Sequence, residues 1–375
     1  MRFLKQEKLK ENIESRMKAN MDACIIGGAS VWVWQDGREL YRNHFGPDAS
    51  EKTIYRLASM TKPITGVAVL QQIEAGKLAL TDPVDKFYPE FRDMPLVKAE
   101  NGELVRIGKP EKLPTVLHLL THTAGFGGEV ECLHHKRMPP EDKACLQRAI
   151  RCYAAYGIQF EPFSQLLYSG CAAFDILAGI VEILADMPYE EYLRKYIFDP
   201  CDMKETTFLP TPDQWARMIP MHDRVDGKNA LGVTWDGCVF ENIPATHFLG
   251  GAGLASSLED YTHFARMLLQ GGQFDGNRIL KPQTVALMAT PHVPQRVAID
   301  PLKQWALSVR TVVSDQHPTR VKGSYGWSGA YGTHFWVDPE NKIAAIILKN
   351  CRFDGGSSAV SSAEFEADVK AAMEV

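Results

Sequence analysis

Strand-like text occupies both ends of this 375-residue chain, and helix-like text fills the stretch between them. Ala29 to Trp34 is a β-branched and aromatic run, Gln35-Asp36-Gly37 is a turn, and Arg38 to His44 is a return strand. Far downstream, His334 to Val337 and Ile343 to Leu348 flank Asp338-Pro339-Glu340-Asn341 as a second hairpin. From about Thr81 to Ile243 the pattern turns helical between Pro and Gly connectors, with an apolar stripe at Phe174, Leu177, Val181 and Leu184. Strand runs set apart from helix runs argue against a doubly wound parallel sheet. The order predicts a mixed α/β layer whose two halves lie far apart in sequence, with a helical region inserted between them.

Further helices bracket this plan. Residues 7–20 form an amphipathic helix, and a second runs from about Ser59 to Ala75, stopped by Gly76. Pro63 falls near its first turn, where a missing N–H does least harm. Ser256-Ser257-Leu258-Glu259 reads as a capping box opening a helix that ends at Gly271-Gly272, and a last helix covers roughly 362–373.

Lys and Arg number 41 against 46 Asp and Glu, a net charge of −5. So mild an acidic excess gives no footprint for nucleic acid or an anionic membrane. The N-terminus lacks an apolar signal region, and no stretch approaches 18 consecutive apolar residues. Eight cysteines (24, 132, 145, 152, 171, 201, 238, 351) show no C-x-x-C pair and read as reduced thiols. Together these place the chain in the cytoplasm. No cofactor is implied, and nothing is said of oligomeric state.

Several familiar sites are missing: there is no G-x-S-x-G elbow, no phosphate-binding P-loop and no H-E-x-x-H. His118 and His122 have the spacing of two metal ligands on one helix face, but a hydrogen-bonded helix end is the default. Cys132, His134 and His135 resemble a zinc site only in composition. No metal site is expected.

Ser-x-x-Lys occurs twice, as Ser15-Arg16-Met17-Lys18 and as Ser59-Met60-Thr61-Lys62. The first sits in a charged, exposed helix. The second opens an apolar helix, Ile64 to Leu70, that should be buried. At i and i+3 the two side chains share a face, so Lys62 can reach the Ser59 hydroxyl. A serine needs a base to become a nucleophile at neutral pH. A lysine takes that proton only in its neutral form, which desolvation and the positive end of a helix dipole favour. Two later stretches add to this. Tyr168, in a turn before an apolar helix at 172–185, could relay a proton. Tyr325-Gly326-Trp327-Ser328-Gly329-Ala330-Tyr331-Gly332-Thr333 could lay a backbone edge against a substrate. Taken singly, each reads first as a packing tyrosine or an ordinary glycine-rich loop.

In this order the segments resemble the serine β-lactamase and penicillin-binding-protein-like family, closest to class C β-lactamases and their related carboxylesterases and D-amino-acid peptidases. The matching text is Ser59-Met60-Thr61-Lys62-Pro63, Gly76-Lys77-Leu78, Leu80-Thr81-Asp82-Pro83-Val84, Leu119-Leu120-Thr121-His122-Thr123-Ala124-Gly125 and Tyr168-Ser169. Gly250-Gly251-Ala252-Gly253-Leu254, Trp327-Ser328-Gly329 and Trp336-Val337-Asp338-Pro339 complete it, across roughly 20–350. The resemblance implies an α+β fold of the β-lactamase/transpeptidase type, an antiparallel sheet flanked by helices with an inserted all-α domain. Residues 1–85 and 246–375 would form the discontinuous α/β domain and 86–245 the helical one. It implies Ser59 as the acylated nucleophile, Lys62 as its base and Tyr168 as the partner in proton transfer. The backbone N–H groups of Ser59 and Ala330 would form an oxyanion hole, where one donor is worth about 10²–10³ in rate.

Two departures bear on substrate. Gly170 stands where β-lactamases carry the Asn of Tyr-x-Asn, and Trp327-Ser328-Gly329 replaces Lys-Thr-Gly. An amide-holding side chain and a carboxylate-attracting cation are thereby lost. With Trp327, Ser328, Gly329 and Gly170 as substrate contacts, both changes favour a neutral, hydrophobic ester. The expected function is a carboxylesterase acting through a Ser59 acyl-enzyme on small-molecule esters. Alternatives are a β-lactamase or D-amino-acid amidase, an acyltransferase, and a silent binding protein that keeps the fold. The segment Leu96 to Lys112 could be a lid, an insertion or a partner surface.

Overall fold

The computed structural model describes residues 1–224, the backbone of 231–233, and 247–373. Cys238 and the expected domain boundary at 245/246 lie outside the described residues. The other seven cysteines are free thiols. Among the described residues no helix is long and apolar enough to cross a membrane.

Period-two alternation builds the central sheet. In β1 (Ala29–Gln35) Val31 and Val33 point to one face and Trp32 to the other. Seven strands follow one another across the sheet, all antiparallel. They are β1, β2 (Arg38–Phe45), β3 (Lys303–Trp305), β4 (Arg310–Val312), β5 (Tyr325–Ser328), β6 (His334–Asp338) and β7 (Ile343–Leu348), in the spatial order β3-β4-β5-β6-β7-β1-β2. Both chain ends therefore meet where β7 pairs with β1, with Trp32 opposite Ile346. β7 is buried on both faces: Ile343, Ala345 and Ile347 turn one way, Ala344, Ile346 and Leu348 the other.

On one face the terminal helices α1 (Gln6–Asp22) and the last helix, Val360–Ala371, close a small core through Leu9, Ile13, Met17, Phe365 and Val369. The other face carries the main core. It includes α2 (Thr61–Glu74), Leu146–Tyr156 (α4), Ala172–Ala185 (α5) and Leu258–Leu269 (α6), with the helix Gly128–Arg137 (α3) packed beside α4. The terminal helix Val360–Ala371 is α7.

Three sequence readings need adjustment. The capping serine of α6 is Ser257, whose hydroxyl accepts from the Asp260 N–H at 3.1 Å. Ser256 lies one residue before the cap, opposite Tyr55 in a short ladder that the sequence did not mark, and bonds Thr206. Glu259 is thereby released to pair with Arg42 and His263. The segment from Leu96 is a hairpin, Leu96–Glu100 with Glu103–Gly108, turned at Asn101-Gly102 where φ is +54° and +78°. Strands β3 and β4 extend the sheet beyond the two hairpins read from sequence; each is only three residues long.

Ile346 is fully buried at the seam where the two ends of the chain pair. Its truncation to Ala should cost about 2–5 kcal/mol, read as a lowered midpoint in chemical denaturation.

Candidate active site

Ser59 sits in a single 3₁₀ turn, Ala58–Met60, that leads into α2. Ala58 just before it has φ +46°, a left-handed conformation that costs an L-residue roughly 1–2 kcal/mol. The surroundings hold that turn: Leu57 N–H donates to the Leu254 carbonyl at 2.9 Å, and Thr333 Oγ1 donates to the Leu57 carbonyl at 2.9 Å. Gly329 lies so close that an added Cβ would stand 2.2 Å from that same carbonyl. The serine side chain is half-buried at a cleft.

One helical step away, Lys62 is fully buried. Its Nζ lies 3.3 Å from Ser59 Oγ and donates to the carbonyls of Gly170 at 2.6 Å and Gly251 at 2.8 Å. The rings of Tyr168 and Phe174 flank it, with centroids 4.9 Å and 5.3 Å away. Three segments distant in sequence thus converge on one amine. The Gly250-Gly251 step packs against the start of α5: a Cβ on Gly251 would meet the Gly170 carbonyl at 2.7 Å and Lys62 Nζ at 3.2 Å. Thr65 fastens the same step by donating to the Gly250 carbonyl at 2.6 Å.

Tyr168 accepts a hydrogen bond from Trp327 Nε1 at 3.2 Å. It stacks on Trp305 and lies against buried His122, so three aromatic rings wall one side of the cleft with the His122 imidazole behind them. The cleft holds about 470 Å³ and is lined by Ser59, Tyr168, Trp305, Trp327 and Ala330, with Ile299 exposed at its mouth. Ala330 is exposed in the tight turn after β5, which Gly355 approaches closely. Ser328 also faces the cleft, its Oγ 2.8 Å from His334 Nδ1.

Of the residues singled out from sequence, Ser59, Tyr168, Trp327, Ser328 and Ala330 line this cleft. Lys62 lies beneath them. Gly170 contributes a carbonyl to Lys62, and Gly329 packs on the backbone before Ser59. Ser15 and Lys18 lie on α1, away from the cleft, with Lys18 paired to Asp22. Residues the sequence did not mark include Trp305, His122 as a ring behind the wall, and Glu131. Buried Glu131 caps α5, accepting from the N–H groups of Cys171 at 2.6 Å and Ala172 at 3.1 Å.

The histidine pairs separate. His118 Nδ1 accepts from the Thr115 N–H at a helix start, while buried His122 accepts from the Ser169 N–H at 3.1 Å. Cys132 is exposed, whereas His134 is buried among the rings of Phe126, Tyr153 and Tyr156. Only His135 of that trio approaches other ligand types, Glu131 and Cys171, within 4.8 Å.

Burial pushes the His134 imidazole down to about 3 and His118 to about 4. The unfolded chain takes up these protons near pH 6.5, so the folded state should lose stability as the pH falls below that value. Denaturation at pH 7 and pH 5 reads the difference, and His134→Phe should make the fall shallower. Gly251→Ala should lower turnover at the cleft by about tenfold or more, since the new methyl displaces Lys62 or the Gly170 carbonyl. Circular dichroism separates that loss from misfolding.

Residues 13–366 match the Beta-lactamase family. An uncharacterized protein of Mycobacterium tuberculosis is 31% identical over 356 residues, covering 88% of this chain and 87% of that relative. Esterase EstB of Burkholderia gladioli is 27% identical over 395 residues, 94% of each chain. Among solved structures, EstCE1, described as a hydrolase with promiscuous acyltransferase activity, superposes with a TM-score of 0.80 at 23% identity. That match covers 97% of this chain and 99% of EstCE1. The antiparallel sheet flanked by helices and the matching sequence lead to one conclusion: the chain belongs to the Beta-lactamase family, a family of serine hydrolases.

Proposed function

We propose that the protein is a carboxylesterase that works through an acyl-enzyme on Ser59. The observation that carries this reading is the hydrogen-bond set of Lys62. A neutral amine has two N–H donors, and two carbonyls, Gly170 and Gly251, stand ready to take them. Its lone pair is then left for the Ser59 hydroxyl, 3.3 Å away. Ser59 Oγ attacks the ester carbonyl carbon as its proton passes to Lys62, and the oxyanion turns toward the N–H groups of Ser59 and Ala330. Collapse breaks the bond to the alkoxide, which leaves with a proton delivered from Lys62 through the Tyr168 hydroxyl. Water, deprotonated by the same groups, then attacks the acyl carbon and restores Ser59.

An ester rather than a β-lactam is favoured by the wall facing Ser59. The indoles of Trp305 and Trp327, the phenol of Tyr168 and the side chains of Leu166 and Leu167 suit an apolar group. Acyl transfer is the second reading, since the description of EstCE1 couples hydrolysis with acyltransferase activity. An alcohol in place of water at the acyl carbon is the only difference between the two.

Purified protein should hydrolyse p-nitrophenyl butyrate, and Ser59→Ala should lower the rate by about 10³-fold or more. Retained turnover in that variant would remove Ser59 from the reaction. Nitrocefin, assayed in parallel, should give the smaller kcat/KM; a larger one would reverse the reading of Trp327. Added short-chain alcohol should divert the acyl group to a new ester if transfer competes.

A further inference from the structure

A second cavity of about 180 Å³ adjoins the cleft and shares Arg310, Trp327, Ser328, Ser357 and Ser358 with it. It lies on the α7 side of the sheet edge, behind the wall that faces Ser59. Three cations line it: Lys303 from β3, Arg310 from β4 and Arg320. Two carboxylates answer them. Asp300 accepts from Arg310 Nη2 at 2.7 Å, and Glu366 Oε1 lies 3.1 Å from Arg320 Nε. Glu366 is further engaged by His334 at 2.9 Å and by Thr319. Burial alone would raise its carboxyl, yet Arg320 and His334 hold it well below the usual carboxylate range. Burial pushes His317 down to about 4 and lowers His334 as well, while the Glu366 carboxylate opposes it at His334. One positive charge is left over.

The leftover charge belongs to Lys303, whose ammonium makes no hydrogen bond or ion pair among the described residues. Burial first, then the neighbouring Arg320 and Arg310, lower its pKa, while Glu366 and Asp300 oppose the shift. Two further donors are unused. Arg310 Nε has no hydrogen-bond partner among the described residues, and neither has the Ser362 hydroxyl, whose residue is only 5% exposed. Ser362 lies in the first turn of α7, and Ala359, Ser362 and Ala363 from that helix start line the cavity. The helix dipole therefore adds positive potential to the same space. A half-buried cation without a counter-charge, set beside a buried and unpartnered hydroxyl, leaves the set for an anion to complete.

We infer that this recess is an anion subsite that takes a carboxylate carried by the ester substrate, held by Lys303, Arg310 and Ser362 while the ester group lies at Ser59. The inference rests on the ester-hydrolase reading and narrows it to esters with one apolar body and one acidic end. It also returns to the site, from a different strand, the cation that Trp327 displaces from the Trp327-Ser328-Gly329 segment. The inference departs in this from the neutral ester expected from the sequence.

The test compares kcat/KM for ester pairs matched in length. One series places the carboxylate on the acyl side, as monomethyl esters of C5–C8 dicarboxylic acids against methyl esters of the corresponding fatty acids. The other places it on the alcohol side, as butyrates of hydroxy acids against butyrates of plain alcohols. At least one series should favour the acidic member by tenfold or more, and Lys303→Met should reduce that ratio at least tenfold. Ser362→Ala, a smaller change, should reduce it several-fold. For wild-type protein, inorganic phosphate should compete with the acidic ester. A ratio near one in both series overturns the inference, as does a preference untouched in both variants. Inhibition by phosphate without preference for acidic esters also overturns it, assigning the recess to a free anion. Failure to hydrolyse any ester, acidic or neutral, defeats the ester-hydrolase reading instead.

Discussion

A single buried amine holds the site together. Lys62 has no exposed surface, and its nitrogen is satisfied only because two carbonyls from distant segments and one serine hydroxyl surround it. An unpartnered amine in that position would carry a heavy desolvation penalty. The start of α2, the turn before α5 and the Gly250-Gly251 step are therefore mutually dependent. Each must sit within about hydrogen-bond distance of the same atom, and the two glycines permit it because a Cβ at Gly251 has nowhere to go. The left-handed Ala58 and the close Gly329 serve the same end, fixing the height of Ser59 above Lys62.

The central sheet places the other components. β5 runs with Trp327 toward the main core and Ser328 toward α7, so one strand separates two chemically different spaces. On one side aromatic rings line the approach to Ser59; on the other, charged groups converge beneath the start of α7. Ser328, with its hydroxyl against His334, touches both. A strand edge gives such a division at no cost because alternate residues face opposite ways.

Much of this was legible in the sequence. The spacing of Ser59 and Lys62 puts both on one helix face, and the two hairpins at the chain ends point to a sheet closed by distant partners. Tyr168, Trp327 and Ala330 were marked through ordered motifs rather than through any property of their own. Other features gave weaker signals. Asn101-Gly102 is a turn pair that the reading of Leu96 to Lys112 left unused, whereas β3 and β4 are too short for a period to show. Trp305, Glu131 and His122 act through their positions in space, and a tryptophan, a glutamate or a histidine alone announces no such role. Ser256 and Ser257 are equally good caps by composition, and only the fold, which turns Ser257 Oγ to the Asp260 N–H and Ser256 Oγ to Thr206, chooses between them.

The sequence by itself determined the placing of Ser59 and Lys62 on one helix face, the sheet-helix-sheet order and the family, because these depend on local spacing and on the linear order of motifs. Only the tertiary structure decided what surrounds that pair. The partners of Lys62 are backbone carbonyls, which carry no residue identity and leave no trace in a string of letters. The charge of the recess beside Ser328 is likewise a sum over Lys303, Arg310, Arg320, Asp300 and Glu366, which the chain order scatters and the fold collects. Electrostatic potential depends on distance through space, and distance through space is what folding supplies.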